Sequence, residues 1–465
     1  MITVDRVRTA RDLVPAVERL LHHSAVALRL IAETWDPAAG TPVFTVNGRY
    51  ASRGWTEWTE GFDVGSALLQ FDATGEREFL DMGRARTVGH MARHLTHAGV
   101  HDHGFNNVST YGALRRLARE GRFAADPWEM RYYELALAVS GSVQARRWTS
   151  LPDGGFIHSF NGAHSLFVDT IRSLRSLGLA YRLGHVLLDE QDRSISLLER
   201  LVLHAQATAR FNVSYGRGRD IYDVRGRVSH EAMFNPVNGS FRGPSSQQGY
   251  SPFTTWTRGL AWALLGFTEQ LEFLATLDEQ ALEPWGGRAG VEAWMLDAAR
   301  ATGDHYLEVA ASDGVPYWDS GAPGLTALGN WGSRPADPFN DHEPVDSSAA
   351  VIAAQGLLRL ARYLRAKGED QTTYEQAGLR TLATLFDPDG PYVSTKPEHQ
   401  GLLLHSIYHR PNGWDHVPEG SKIPRGESCL WGDYHAREAA VYVLRLANGE
   451  PYLTFFGPED GSHVA

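Results

Sequence analysis

Apolar residues along this chain recur mostly at three- and four-residue intervals, the spacing of one face of an α-helix. LVPAVERLLHHSAVALRLIAETW near the N-terminus sets the pattern. It returns in REFLDMGRARTVGHMARHL, STYGALRRLARE, WEMRYYELALAVSGSVQARRW, LFVDTIRSLRSLGLAYRL and ISLLERLVLHAQATARF. It continues in TRGLAWALLGFTEQLEFLATL, GVEAWMLDAARATGDHYLEVA, SSAAVIAAQGLLRLARYLRA, TTYEQAGLRTLATLF and YHAREAAVYVLRLA, with GSALLQFDATG as a shorter candidate. The pattern predicts roughly twelve helices, recurring about every 30–45 residues. The connections are rich in Gly, Pro, Asn, Asp and Ser, as in SLPDGGFIHSFNGAH and FNPVNGSFRGPSSQQGYSPF. No Pro/Ser linker or charge block divides the chain, so residues 1–465 read as a single domain. Many helices joined by short and long polar loops suit a helical toroid with a pocket at one end. A solenoid of helical repeats would show a motif at fixed period, and none appears.

Composition narrows the picture. Of the 465 residues, 43% are hydrophobic, enough for a large core. The net charge of −11 disfavours a general nucleic-acid binder, which needs a basic surface against phosphate. No stretch approaches the ~18 apolar residues of a membrane span. The N-terminus MITVDRVRTARDLV lacks the apolar segment of a signal peptide. The expectation is a cytoplasmic protein. The single cysteine, Cys429, rules out an intrachain disulfide scaffold and disfavours a Cys-based zinc site. Several of the 13 tryptophans sit in polar, glycine-containing segments such as GWTEWTEGF, TTWTRGLAW and LWGDY. An indole face beside hydrogen-bonding groups is what a sugar ring requires, although a core role is the plainer alternative.

The segment HDHGFNN, His101–Asn107, admits three readings. His-x-His suggests a metal, but no HExxH motif or cysteine supports it. Asp102 could instead bond backbone amides in a turn before a helix capped by Asn107 or Ser109. Or Asp102 is a loop carboxylate at the mouth of the helical array, oriented by its histidines. Asp169 lies among Leu166, Phe167, Val168 and Ile171. It reads either as a first-turn acid stabilised by a helix N-terminus, or as a buried carboxyl with raised pKa able to act as a general acid. Two carboxyls in different environments are what glycoside chemistry needs.

A third cluster comprises His230, Gln248, Trp256, Arg258 and Trp262, on loops or the first turns of a helix. Arg258 reads either as a two-point partner for a substrate carboxylate or as half of a salt bridge to a neighbouring helix. In PVDSSAAVIAAQGLL, Asp346 or Ser347 reads as a helix N-cap. His405, His409, Arg410, Trp414 and Trp431 gather around turns near the C-terminus, with Asp433 expected to cap the last helix.

In order along the chain, WTEGF, HDHGF, VDTIRSLRSLGL, QGYSPFTTWTRGLAW, DSSAAVIAAQGLL, YHRPNG and LWGDY resemble the unsaturated glucuronyl hydrolases of glycoside hydrolase family 88 and their relatives in families 105 and 154. The resemblance runs from about Trp55 to Leu446. It implies an all-α (α/α)6 barrel. It matches the family's two aspartates to Asp102 and Asp169, and its sugar-contacting residues to His230, Gln248, Trp256, Arg258 and Trp262. Trp58 is similar to an early pocket tryptophan, and His101 stands beside the first aspartate. The implied substrate is an oligosaccharide ending in a 4,5-unsaturated uronic acid, and no cofactor, metal, nucleic acid or membrane is implied. The reaction the resemblance implies is hydration of the C4=C5 vinyl ether. Asp169 would protonate C4, Asp102 would stay ionised, and Arg258 and His230 would hold polar groups of the uronate.

The chain departs from the family at Ser173, where Asn is usual, at Arg172 in place of Met, and at Phe160 in place of a tryptophan. QGYSPF and the asparagines after HDHGF are further departures. All are expected to line the pocket. Two other activities stay open. One is ordinary β-glucuronidase action on saturated glucuronides. The other is sugar epimerisation on the same toroid, with His230 and His405 as the proton-transfer pair.

Overall fold

The structure is a computed structural model and describes residues 1–4, 6–54, 57–451 and 454–456. Trp55, where the resemblance begins, lies outside the described residues. Twelve long helices among them form two concentric rings. They are α1 (Ala10–Thr34), α2 (Glu60–Thr74), α3 (Arg77–His90), α4 (Gly104–Gly112 running into Ala113–Arg119), α5 (Pro127–Arg146) and α6 (Thr170–Ser173 with Arg175–Arg182). Then follow α7 (Leu197–Phe211), α8 (Thr257–Ala275), α9 (Gly287–Val309), α10 (Ser347–Ala366), α11 (Thr372–Leu385) and α12 (Leu430–Asn448).

The sequence sorts the helices between rings. α1 is amphipathic, burying a stripe that includes Leu13, Val17, Leu20, Leu28 and Ile31 while its other face meets solvent. α8 is different: every residue from Thr257 to Leu274 is buried. A helix buried all round belongs inside. The inner ring is α2, α4, α6, α8, α10 and α12, each packed on the next, and α12 closes back onto α2. The outer helices α1, α3, α5, α7, α9 and α11 pack against them, giving six hairpins in an (α/α)6 barrel. One continuous apolar core runs from Ile2 to Phe456.

Several helix starts carry side-chain caps. Asp346 caps α10, accepting from Ser348 N at 3.0 Å and Ala349 N at 3.3 Å, as the sequence indicates. Asp433 does not cap α12. Its carboxylate accepts Leu402 N and Leu403 N at 2.8 and 2.7 Å and the Tyr50 hydroxyl at 2.7 Å, tying that helix to the preceding loop.

Two local features depart from the helical reading. The LFV run before Asp169 is partly a strand. Ser165–Phe167 pairs with Glu231–Phe234, which pairs with Phe241–Ser245, so the loops at the α6 end are held as a small sheet. Short strands of this kind are specified by partners distant in sequence, which periodicity cannot show. In addition, Gly104–Gly112 is a π-helix, a wider turn that displaces the chain at the opening of α4.

At the barrel axis, Arg172 and Arg175 of α6 meet Glu269 of α8 and Glu438 of α12. Arg172 lies 3.2 Å from Glu269 and 2.7 Å from Glu438. Arg172 is fully buried. The expectation that it lines the pocket therefore fails: its charge is neutralised inside the inner ring. Burial of such charges is tolerated because each cation faces carboxylates.

Candidate active site

The loop 96–103 and the start of α6 bring the two aspartates together. Gly104 makes this approach possible, because a Cβ there would overlap the backbone of Ser173. The Ser173 hydroxyl completes the junction. It donates to the His101 carbonyl at 2.7 Å and accepts from Gly104 N at 2.8 Å, while the Gln144 amide donates to it at 2.9 Å. The serine that replaces the family's asparagine is thus a framework residue.

Asp102 does not cap the turn. Its backbone carbonyl, not its carboxylate, accepts from Phe105 N and Asn106 N, at 2.9 and 3.1 Å. The carboxylate faces His101 instead. His101 Nε2 lies 3.7 Å from Asp102 Oδ1 and 3.6 Å from Asp169 Oδ1. Those two oxygens are therefore no farther apart than the two lengths laid end to end, which falls short of the upper limit of roughly 9.5 Å for glycosidase carboxyl pairs. His103 turns the other way, with Nδ1 bonded to Ser140 at 3.0 Å and Nε2 to the His97 carbonyl at 3.1 Å. Burial pushes its pKa down to about 3, so it is a neutral structural residue. The two histidines diverge and do not converge on a common metal position.

Asn106 and Asn107 are also framework residues, not pocket variation. Asn106 accepts from Gly61 N at 2.8 Å, and Asn107 donates to Ser140 at 2.8 Å and to the His94 carbonyl at 3.2 Å.

The order of acidity differs from the sequence expectation. Burial raises the Asp102 pKa, and the neighbouring Asp169 adds to this against the opposing pull of His101. For Asp169, burial also acts upward but is outweighed by His101, and the net shift is downward. Burial alone would discharge His101, but the two carboxylates outweigh it and raise its pKa. Asp169 is thus the more acidic of the pair, the reverse of the expected order. Its Oδ1 has no hydrogen-bond partner among the described residues.

The second wall comes from the loop before α8. His230 Nδ1 accepts from Gln247 N at 3.0 Å and Gln248 N at 3.4 Å, which leaves Nε2 as the protonated nitrogen. Burial lowers its pKa to about 4. Nε2 is buried without a partner among the described residues. Phe167 and Trp256 hold the ring, with centroids 4.4 and 4.8 Å away.

Arg258 is not a free clamp for a substrate carboxylate. One terminal nitrogen donates to Asp346 at 2.9 Å and to the Ile407 carbonyl; the other donates to the Tyr408 carbonyl at 2.7 Å and to Gln248 Oε1 at 2.8 Å. All four terminal N–H groups are engaged, and the guanidinium is sandwiched between Trp256 and Trp431 at 4.6 and 4.9 Å. Of its two sequence readings, the interhelical salt bridge holds. Through it, Gln248 is oriented with its carbonyl toward Arg258 and its NH2 group left to donate elsewhere.

Trp58 stacks on Trp431 at 5.0 Å and lies 6.4 Å from Tyr408. Trp262 is deeper. Phe105, His435 and the Arg172 guanidinium surround its ring, and it is only 2% exposed. Phe160 is at the mouth, 37% exposed and stacked on His101 at 6.0 Å. His405 packs against Phe339 and Tyr392, whereas the ring of His230 packs against Phe167 and Trp256. Sequence reasoning missed Phe167, Tyr408 and the coupling of Asp346 to Arg258. An apolar run and a cap motif gave no sign that these residues meet.

No family model matches the chain. It is 27% identical over 410 residues to an unsaturated glucuronyl hydrolase of Bacillus sp. (strain GL1), covering 87% of this chain and 89% of the relative. It is 23% identical over 446 residues to an unsaturated chondroitin disaccharide hydrolase of Streptococcus agalactiae serotype III (strain NEM316), covering 94% and 92%. The crystal structure of the Bacillus sp. GL1 unsaturated glucuronyl hydrolase superposes with a TM-score of 0.68 at 23% identity, over 93% of this chain and 97% of that one. Along most of both sequences, and in a common barrel, the chain is similar to the unsaturated glucuronyl hydrolases.

Proposed function

We propose that the protein is a glycoside hydrolase that releases a terminal 4,5-unsaturated glucuronyl residue from an oligosaccharide. The observation that carries this reading is the pair Asp102 and Asp169 facing one imidazole, that of His101, at 3.7 and 3.6 Å. Hydration of a vinyl ether needs one proton delivered to carbon and one water directed to the adjacent carbon. A carboxyl pair with a shared proton supplies both functions.

In this reading Asp169 protonates C4. The cation that develops at C5 and the ring oxygen is stabilised by the ionised carboxylate. Water adds at C5 and gives its proton back to the pair. The hemiketal then opens to a ketone, and the hemiacetal left at C1 expels the remaining chain as an alcohol. One water is consumed overall. Asp169 is the more acidic carboxyl of the pair, so the proton must reach it when substrate enters. The uronate brings a negative charge, which favours the neutral form of a nearby carboxyl. His101, whose Nε2 lies 3.7 and 3.6 Å from an oxygen of each, is the route. The His230 Nε2–H and the Gln248 NH2 group are the donors for the uronate's carboxylate, with Arg258 fixing Gln248.

The test is a panel of lyase-digested and intact glucuronides. Loss of the absorbance of the conjugated double bond, with wild type active and Asp169→Asn inactive, supports the reading. Release of free glucuronic acid from saturated substrates alone would replace it with ordinary β-glucuronidase action.

A further inference from the structure

Arg147, at the C-terminal end of α5, is the last residue before the hairpin Trp148–Leu151 and Gly154–Ile157. Its side chain is partly buried, yet among the described residues no carboxylate lies within ion-pair distance. Each of its three nitrogens donates to a backbone carbonyl. Nε donates to His158 O at 3.1 Å, one terminal nitrogen to Ser159 O at 2.7 Å, and the other to Ala98 O. These carbonyls belong to two separate loops. Ala98 lies in the loop that continues to His101 and Asp102. His158 and Ser159 lead into Phe160, whose ring stacks on His101.

Besides the stacking of Phe160 on His101, each loop has hydrogen bonds of its own. His103 bonds the His97 carbonyl, and the Thr149 hydroxyl donates to Ala163 O at 2.7 Å. Among the described residues Arg147 is the one side chain hydrogen-bonded to both loops. A guanidinium suits this task because its planar fork aims donors in several directions at once, which an ammonium on a flexible stem does not.

We infer that Arg147 is a positioning residue that staples the two rim loops of the pocket together, fixing Phe160 over His101 at the spacing a sugar ring must meet. The inference rests on the proposed active site, but its first test does not need the activity. Hydrogen exchange is measured by mass spectrometry on wild type, Arg147→Met, Arg147→Lys and, as control, Arg146→Met. In Arg147→Met, peptides covering residues 96–104 and 156–164 should exchange at least tenfold faster, with the inner helices unchanged. Arg147→Lys keeps the charge without the fork and should fall between. Wild-type rates in both loops, or a uniform rise across the barrel, would overturn the staple. If Arg147→Met does not fold, Arg147→Lys carries the same comparison. On an unsaturated uronide, Arg147→Met should raise KM about tenfold with a smaller change in kcat. An equal fall in kcat with KM unchanged would refute the positioning role. A wild type inactive on every uronide would remove the proposed function and leave the exchange result standing.

Discussion

Gly104 and Ser173 touch backbone to backbone, so closely that no side chain fits between them. This contact joins the loop of Asp102 to the helix of Asp169, and it sets the distance between the two carboxyls. Gly104→Ala should therefore separate them. The new Cβ meets backbone, not a yielding side chain, so the cost is overpacking of about 1–3 kcal/mol. Activity should fall on the order of 100-fold, since misplacement by ~1 Å is that costly. Thermal denaturation and kcat/KM on an unsaturated uronide check the two effects.

Asp102→Asn and Asp169→Asn keep shape and remove charge. Each should lower kcat on the order of 10²–10⁴-fold, the usual contribution of a general acid or base. Asp169→Asn also removes an anion that holds the His101 pKa up, so the His101 titration should move downward. NMR titration of the imidazole reads this directly. Full activity of Asp169→Asn on every uronide would remove it as the acid.

Arg258 and Asp346 form a buried ion pair at 2.9 Å. Removing one partner strands the other, so Arg258→Met should destabilise the protein by about 3–5 kcal/mol. Asp346→Asn should cost less, because an amide can still accept. Urea denaturation measures both. Asp346→Asn is also expected to raise KM, because Arg258 loses an anchor and Gln248 loses its fixed orientation.

Phe160 presents its ring at the mouth of the pocket. Phe160→Ala should raise KM roughly two- to tenfold, the equivalent of the ~0.5–1.5 kcal/mol of an aromatic stacking contact, with kcat nearly unchanged. Steady-state kinetics on the same uronide separates the two constants.

Stability should fall as the medium becomes mildly acidic. Burial depresses the pKa of His103 and His204 to about 3, and of His230 to about 4. Unfolded histidine takes up its proton near pH ~6.5. Between that value and the folded pKa the unfolded chain binds more protons, so stability rises with pH and is lost as pH drops. Denaturation curves at pH 7, 6 and 5 should show progressively lower midpoints. His204→Gln should flatten the dependence, and a midpoint independent of pH would contradict the buried neutral state.

The helices were legible because their signals are local. The capped start of α10 and the buried run of α8 follow from spacing and side-chain chemistry a few residues long. The identities of Asp102, Asp169, His230 and Gln248 were legible too, through motifs kept in order. The roles of Arg172, Ser173 and the asparagines were misassigned to the pocket. A position beside a catalytic motif need not face the same way, and one helical turn is enough to send Arg172 to the barrel axis.

The amino-acid order alone settles where the long helices run, that Asp346 caps the start of α10, and which residue types are available for chemistry. It leaves open which of them meet. Asp102 and Asp169 come together only because Gly104 lets two inner helices close up. Arg258 became a framework residue only when Asp346 and the carbonyls of Ile407 and Tyr408 were brought to it by other parts of the ring. The proton order between the aspartates was likewise invisible in one dimension. It depends on how deeply each is buried and on how near His101 lies, and both are properties of the closed barrel.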